Sequence, residues 1–304
     1  MPEKSKVLTR REFITRGSKL AAGVVGATLT ACSAQQAMHA QSASGTAMKF
    51  GLVTYLWGQD WELPELIRNC QTAGVYGVEL RVEHAHGVSP ALGPRERYEV
   101  RLRFEHSPVE LVGFGTNYEF HSPDEEELQA NLREAKEYVR LSSEVGGSGV
   151  KVKPNALPDG VPVEQTIEQI GTSLNDLGEY AESLGQEIRV EVHGRETSRL
   201  PIMARIFEHV TQPNVGACWN SNDEDLEGEG LEYNFNLVKN DLAQTVHIRE
   251  LNEGEYPYQQ LFNLFAGINY DGWILLEART NPGDRIKALH RQKQLFNDMI
   301  SKAT

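Results

Sequence analysis

From residue 49 onward the chain alternates between two hydrophobic rhythms: short apolar runs with a period of two, and longer stretches with apolar residues at steps of three and four. The first rhythm predicts strands over 50–55, 77–82, 109–115, 149–153, 188–193, 215–219, 245–249 and 273–278. The second predicts helices over 63–73, 95–106, 124–145, 200–210, 233–242, 258–266 and 285–300, and one more carrying Ile167, Ile170, Leu174, Leu177, Ala181 and Leu184. In the 124–145 helix, Leu128, Leu132, Ala135, Val139 and Ser142 share a face. Ser122 is read as its cap, with Glu125 to Glu127 favourably placed in the first turn.

Eight strands, each followed by a helix, imply a parallel sheet. About 257 residues without a Pro- or Gly-rich linker suit closure into one (β/α)8 TIM barrel over 49–304. A doubly wound open sheet is the alternative. It would want a Gly-rich phosphate fingerprint after the first strand, where Tyr55-Leu56-Trp57-Gly58 stands instead.

Five predicted strands carry charged residues two apart near their C-terminal ends: Glu79 and Arg81, Lys151 and Lys153, Glu191 and His193, His247 and Arg249, Glu277 and Arg279. The residues between them, Leu80, Val152, Val192, Ile248 and Ala278, are apolar. In a parallel barrel the apolar side faces the helices, so the charged side points inward. Ionised groups there are costly unless they are paired, hydrogen-bonded or bound to a metal, and barrel enzymes place their sites at this end of the strands. In Arg189-Val190-Glu191-Val192-His193-Gly194 a carboxylate and an imidazole share an edge that ends at a glycine turn.

The N-terminus reads differently. Thr9-Arg10-Arg11-Glu12-Phe13-Ile14 matches a twin-arginine export signal, and the apolar stretch from Leu20 to Ala31 is too short to remain as a membrane span. Leu29-Thr30-Ala31-Cys32 resembles a lipobox with Cys32 as the lipidated residue. The expected layout is a signal peptide at 1–31, a flexible tether at 32–48 and an exported barrel, either periplasmic or a membrane-anchored lipoprotein held only through Cys32. The whole chain has a formal charge of −13, and 24 basic against 41 acidic side chains beyond residue 31 leave −17. Such a surface repels phosphate backbones and excludes nucleic acid as a partner. It favours a neutral substrate over a phosphorylated one unless the pocket itself is basic. Cys70 and Cys218 lie in apolar segments and are expected to be buried free thiols. A homo-oligomer is left open.

Several stretches together carry a family resemblance: Gly77-Val78-Glu79-Leu80-Arg81, His84-Ala85-His86-Gly87, Gly149-Val150-Lys151-Val152-Lys153-Pro154-Asn155, Glu191-Val192-His193-Gly194, Cys218-Trp219-Asn220-Ser221-Asn222, Val246-His247-Ile248-Arg249 and Leu276-Glu277. Over 49–300 the chain resembles the sugar phosphate isomerase/epimerase group of the xylose isomerase-like barrels. The resemblance implies one divalent metal ion (Mn, Mg, Co or Zn) held by Glu191, His247, Glu277 and, at the strand-six position where the group has Asp, Asn220. That departure lowers the ligand charge from −3 to −2, which His193 or Asp223 would compensate.

It further implies isomerisation or epimerisation of a small-molecule sugar through an enediolate, with Glu191 and Glu277 exchanging the proton as base and acid. Lys151, Lys153, His193 and Arg249 are expected to polarise oxygens or protonate a leaving group. Glu79, Arg81 and His86 are expected to contact the substrate, and Tyr55, Trp57 and Trp219 to offer ring faces to it. Two variants stay open: β-elimination from a keto-sugar glycoside at the same site, and a non-catalytic sugar-binding lipoprotein.

Overall fold

The computed structural model describes residues 47–303. The expected signal peptide at 1–31, Cys32 and nearly all of the expected tether lie outside the described residues.

The strands are β1 (Lys49–Val53), β2 (Gly77–Arg81), β3 (Glu110–Glu119), β4 (Gly149–Lys153), β5 (Glu187–Glu191), β6 (Val215–Cys218), β7 (Thr245–Ile248) and β8 (Trp273–Leu276). The helices are α1 (Leu63–Ala73), α2 (Pro94–Glu105), α3 (Glu125–Val145), α4 (Val163–Glu182), α5 (Leu200–Glu208), α6 (Leu231–Val238), α7 (Tyr258–Gly267) and α8 (Arg285–Ile300). The strands pair in parallel in chain order, with β1 also against β8. Between β6 and β7 the ring is closed by bridges at Asn220–His247 and Ala217–Leu242, with the His247 N–H donating to Trp219 O at 2.7 Å. The result is a nearly closed (β/α)8 barrel, with the β6–β7 seam beside the strand ends that carry the site.

The period-two pattern explains the layering. Phe50, Leu52, Leu80, Val152, Val190, Ile248 and Leu276 face outward and are buried under the helices. The interior holds a separate small apolar cluster of Val53, Val112, Trp273 and Leu275. Glycines make room for it, since a Cβ on Gly51 or Gly77 would overlap Leu275 or the Trp273 ring. At the N-terminal end the barrel is plugged by Arg189, 1 % exposed, which donates to Glu187 Oε2 at 2.8 Å, Val112 O at 2.9 Å and Ser148 Oγ at 2.7 Å.

Some sequence expectations need correction. Asp124, not Ser122, caps α3: its carboxylate accepts from the N–H groups of Glu126 and Glu127, while Ser122 lies before the cap and accepts the Asp124 N–H. Strand β5 ends at Glu191, not His193. Beyond it Gly194, at φ 100°, turns the chain so that Gly194–Arg195 pairs with Asn155–Ala156 in a separate two-stranded ladder. Strand β3 runs on to Glu119 through a register shift against β4.

Candidate functional site

The inward residues at the C-terminal strand ends form two layers. In the deeper layer Glu191, His247 and Glu277, from the ends of β5, β7 and β8, place their ligand atoms within 4.8 Å of one another, each side chain buried. Parallel register brings them level: Glu191 pairs with Cys218, and His247 with Leu275 two residues before Glu277. Lys151 from β4, fully buried, contacts Glu191 Oε2 and donates to Thr116 O at 3.0 Å. Asn220 donates from Nδ2 to Glu191 Oε1 at 3.1 Å. It reaches the cluster as a donor to a carboxylate, with its Oδ1 not engaged in that bond, and the His, Cys, Asp and Glu side chains grouped there among the described residues are Glu191, His247 and Glu277. Neither residue expected to compensate for it joins that group. Asp223 is exposed at the start of a 3-10 turn, and His193 Nδ1 hydrogen-bonds Asn155 Oδ1 at 2.8 Å.

Glu79, expected to contact substrate, lies instead behind His247, 0 % exposed, with Oε1 3.2 Å from His247 Nε2. Both ring nitrogens of His247 and both Glu79 oxygens are buried without a well-directed hydrogen bond. Burial works against charge on all of these groups. The Lys151 ammonium nevertheless holds Glu191 far below the usual carboxylate range, and Cys218 and Glu79 raise His247 well above the usual imidazole value. The pull that draws a proton onto His247 is the one that would draw a cation. Glu79, Glu191 and Glu277 carry −3 and Lys151 +1, leaving the −2 that one divalent ion neutralises when His247 is neutral. Donor set, spacing and charge all fit such an ion. Glu191 already serves Lys151 and Asn220, but a carboxylate offers about four lone-pair positions, so it can take a third partner.

One layer higher stand Arg81, Lys153, His193 and Arg249, all partly buried. Arg81 Nη1 donates to Asn117 Oδ1 at 3.0 Å, and its guanidinium lies 5.8 Å from the Tyr55 ring centre. The Arg249 backbone N–H donates to Tyr258 OH at 3.0 Å. Burial, then the nearby Lys151 charge, holds Lys153 below the usual lysine range.

Other expected contacts are not at the mouth. Trp219, 0 % exposed, packs on Phe235 of α6 and donates from Nε1 to Tyr256 OH. Alternation requires this: if Asn220 and Cys218 point inward, Trp219 between them points out. Trp57 is buried, with Nε1 bonded to Thr280 O at 2.9 Å. His86 uses both ring nitrogens on its own loop, Nε2 to Arg81 O and Nδ1 from the Val88 N–H, and burial lowers its pKa to about 4. Arg279 is exposed, and its backbone N–H is held by Glu250. Sequence reasoning missed the buried Asp225, whose Oδ2 accepts from Tyr256 OH at 2.6 Å and the Asn222 N–H at 3.0 Å. Burial pushes its pKa up to about 8. It sits in an acidic loop with no periodicity, so nothing in the pattern singled it out.

With the geometry in place, comparison with known proteins identifies the fold family. The family described as xylose isomerase-like TIM barrel matches residues 67–295. The chain belongs to that family. Among solved structures this xylose isomerase-like barrel is similar to the apo form of 3-keto-D-glucoside 4-epimerase YcjR from E. coli, with TM-score 0.69 and 18 % identity over 83 % of this chain and 99 % of that one. It is similar also to an L-ribulose 3-epimerase, with TM-score 0.71 and 13 % identity over 84 % and 95 %. A third is IolI with a bound zinc atom, at TM-score 0.72 and 15 % identity over 84 % and 99 %. At these identities the likeness is one of fold. No curated protein matches the chain. No helix among the described residues is long and apolar enough to cross a membrane.

Proposed function

We propose that this protein is a sugar isomerase or epimerase that uses one divalent metal ion and abstracts a proton next to a carbonyl, through an enediolate. The observation that carries the proposal is the buried Glu191, His247 and Glu277 cluster at the C-terminal mouth of a barrel plugged at its other end. Similarity to sugar epimerases and to a zinc-bound barrel of the same fold supports it.

Glu191, His247 and Glu277 would hold the ion, which when bound supplies Lewis acidity to adjacent carbonyl and hydroxyl oxygens. Glu191 and Glu277 then take and return the proton, one from each side of the carbon. Lys151 keeps Glu191 ionised, as a base requires, and Glu79 fixes the His247 ring from behind. The test is exchange: metal-loaded protein incubated with keto-sugars in deuterated water should incorporate deuterium at the carbon next to the carbonyl, and Glu191→Ala should abolish both exchange and bound metal. No exchange with any sugar, together with no bound metal, would reduce the protein to a sugar-binding barrel.

A second reading, β-elimination from a keto-sugar glycoside, is favoured by a cavity of about 600 Å³ lined by Leu56, Gln59, Thr280, Asn281 and Arg285 among others. It lies between the loops after β1 and β8, three residues beyond Glu277, where an aglycone has room. Release of free aglycone separates this reading from the first. We also propose export through the twin-arginine signal, with Cys32 as anchor. Mass spectrometry of the mature N-terminus tests this.

A further inference from the structure

We infer that the substrate is a sugar acid whose carboxylate is held by Arg81 and Lys153 on the β2–β4 side of the mouth. The inference rests on the proposed function and names its substrate class. It reverses the expectation of a neutral ligand, which followed from the acidic surface.

Arg81 does not run up the wall of its own strand. Gly115 on β3 is its register partner, and the missing side chain there is the space Arg81 occupies: a Cβ on Gly115 would stand 3.0 Å from Arg81 Cδ and 2.6 Å from Glu79 Oε1. The guanidinium thereby crosses β3 toward Asn117, which takes Nη1. Nε is buried with no hydrogen-bond partner. Nε and Nη2 form the side of the guanidinium that matches the two oxygens of a carboxylate. Lys153, one strand further on, extends the same arc, and its lowered pKa reflects burial and the cations around it, Lys151 and Arg81 among them.

Neither Arg81 nor Lys153 has a carboxylate within 4.0 Å among the described residues, in a chain with 43 acidic side chains. Glu119, opposite Lys153 in the ladder, turns to His121 at 3.8 Å. With a divalent ion neutralising the deeper layer, Arg81, Lys153 and Glu119 leave +1 on the β2–β4 side of the mouth, and Arg249 adds a further positive charge on the β7 side, so the mouth favours an anion. Barrels of this kind usually bind phosphate at a helix N-terminus after strands seven and eight, across the mouth from this arc.

The test is calorimetric titration of the full chain, with and without Mn²⁺, against D-glucuronate, D-gluconate, D-glucose and D-glucose 6-phosphate. Wild type is compared with R81Q, R81K, K153Q and, as control, R140Q on the exposed face of α3. The expected result is a sugar acid binding at least about 10-fold more tightly than D-glucose, a preference lost in R81Q and K153Q, partly kept in R81K and unchanged in R140Q. Thermal melts confirm that each variant is folded. Equal binding of acid and neutral sugar, tighter binding of the phosphate, no binding of either acid, or a preference that survives both R81Q and K153Q would overturn the inference. If wild type holds no more Mn²⁺ than Glu191→Ala, the proposed enzymatic function falls, while the metal-free titrations still decide the acid preference.

Discussion

Lys151→Met separates the charge argument from simple packing, because it moves two quantities in opposite directions. Methionine fills nearly the same volume, so no large cavity opens. What disappears is the cation on Glu191 and the donor to Thr116 O. Breaking a buried ion pair by removing one partner costs about 3–5 kcal/mol, and that loss should appear in urea denaturation of the metal-free protein. The same change takes the deeper layer from −2 to −3. For a doubly charged ion roughly 5 Å from the ammonium, at an effective dielectric of 20, the relieved repulsion is about 7 kcal/mol, on the order of 10⁵-fold in affinity. Mn²⁺ titration by calorimetry should therefore show the variant binding more tightly than wild type. A saturating ion should restore most of the lost stability, about 2.7 kcal/mol at 100 times Kd. If the variant binds Mn²⁺ no more tightly while remaining folded, Lys151 is not part of the ion's electrostatic environment and the charge balance proposed above is wrong.

Three further outcomes follow from single contacts. Asp225 has its pKa raised to about 8 from an ordinary 3.8, so its contribution to stability is complete below about pH 4 and is lost as pH rises through 8. Asp225→Asn should match wild type at pH 4 and be several kcal/mol more stable at pH 9 in denaturant titrations, and a difference that does not change with pH would refute the assignment. Arg189→Met leaves Glu187 buried beside a vacated plug and should destabilise by about 3–5 kcal/mol in thermal or urea melts, without changing the pH optimum of turnover. Gly115→Ala pushes its methyl against Glu79 and Arg81, so it should cost about 1–3 kcal/mol of stability and weaken sugar-acid binding more than metal binding, as read by paired titrations.

The sheet was legible because a parallel barrel imposes one rule on every strand: apolar toward the helices, the alternate residue inward. That rule located Glu191, His247, Glu277, Lys151 and Glu79. Applied further it would have corrected one expectation and added one interior residue. Trp219 cannot share a face with Asn220, and Arg189, two residues before Glu191, must occupy the interior beneath it. The rule lapses where strands end. Strand β5 stops at Glu191 and β8 at Leu276, so the orientations of His193 and Arg279 are set by loop hydrogen bonds to Asn155 and Glu250. Loops have no period at all, which is why Asp225, the capping Asp124 and the self-bonded His86 are visible only in the fold.

The departure at Asn220 takes on a different meaning once the interior is seen. From sequence, replacing a carboxylate with an amide left the four expected ligands at −2. In the structure Asn220 supports Glu191 through its N–H, while Glu79, from the opposite wall, supplies a third carboxylate behind His247 and Lys151 subtracts one charge. The total is again −2, reached by other residues. An aspartate at position 220 would place two carboxylates in direct contact and raise the pKa of one of them, impairing Glu191 as a base. On the proposed mechanism the amide donates to Glu191 without competing for the proton that Lys151 keeps off it. Asn220→Asp should accordingly lower turnover below neutral pH, where the shared proton persists, and recover as pH rises. A profile parallel to wild type would show that Glu191 does not depend on that hydrogen bond.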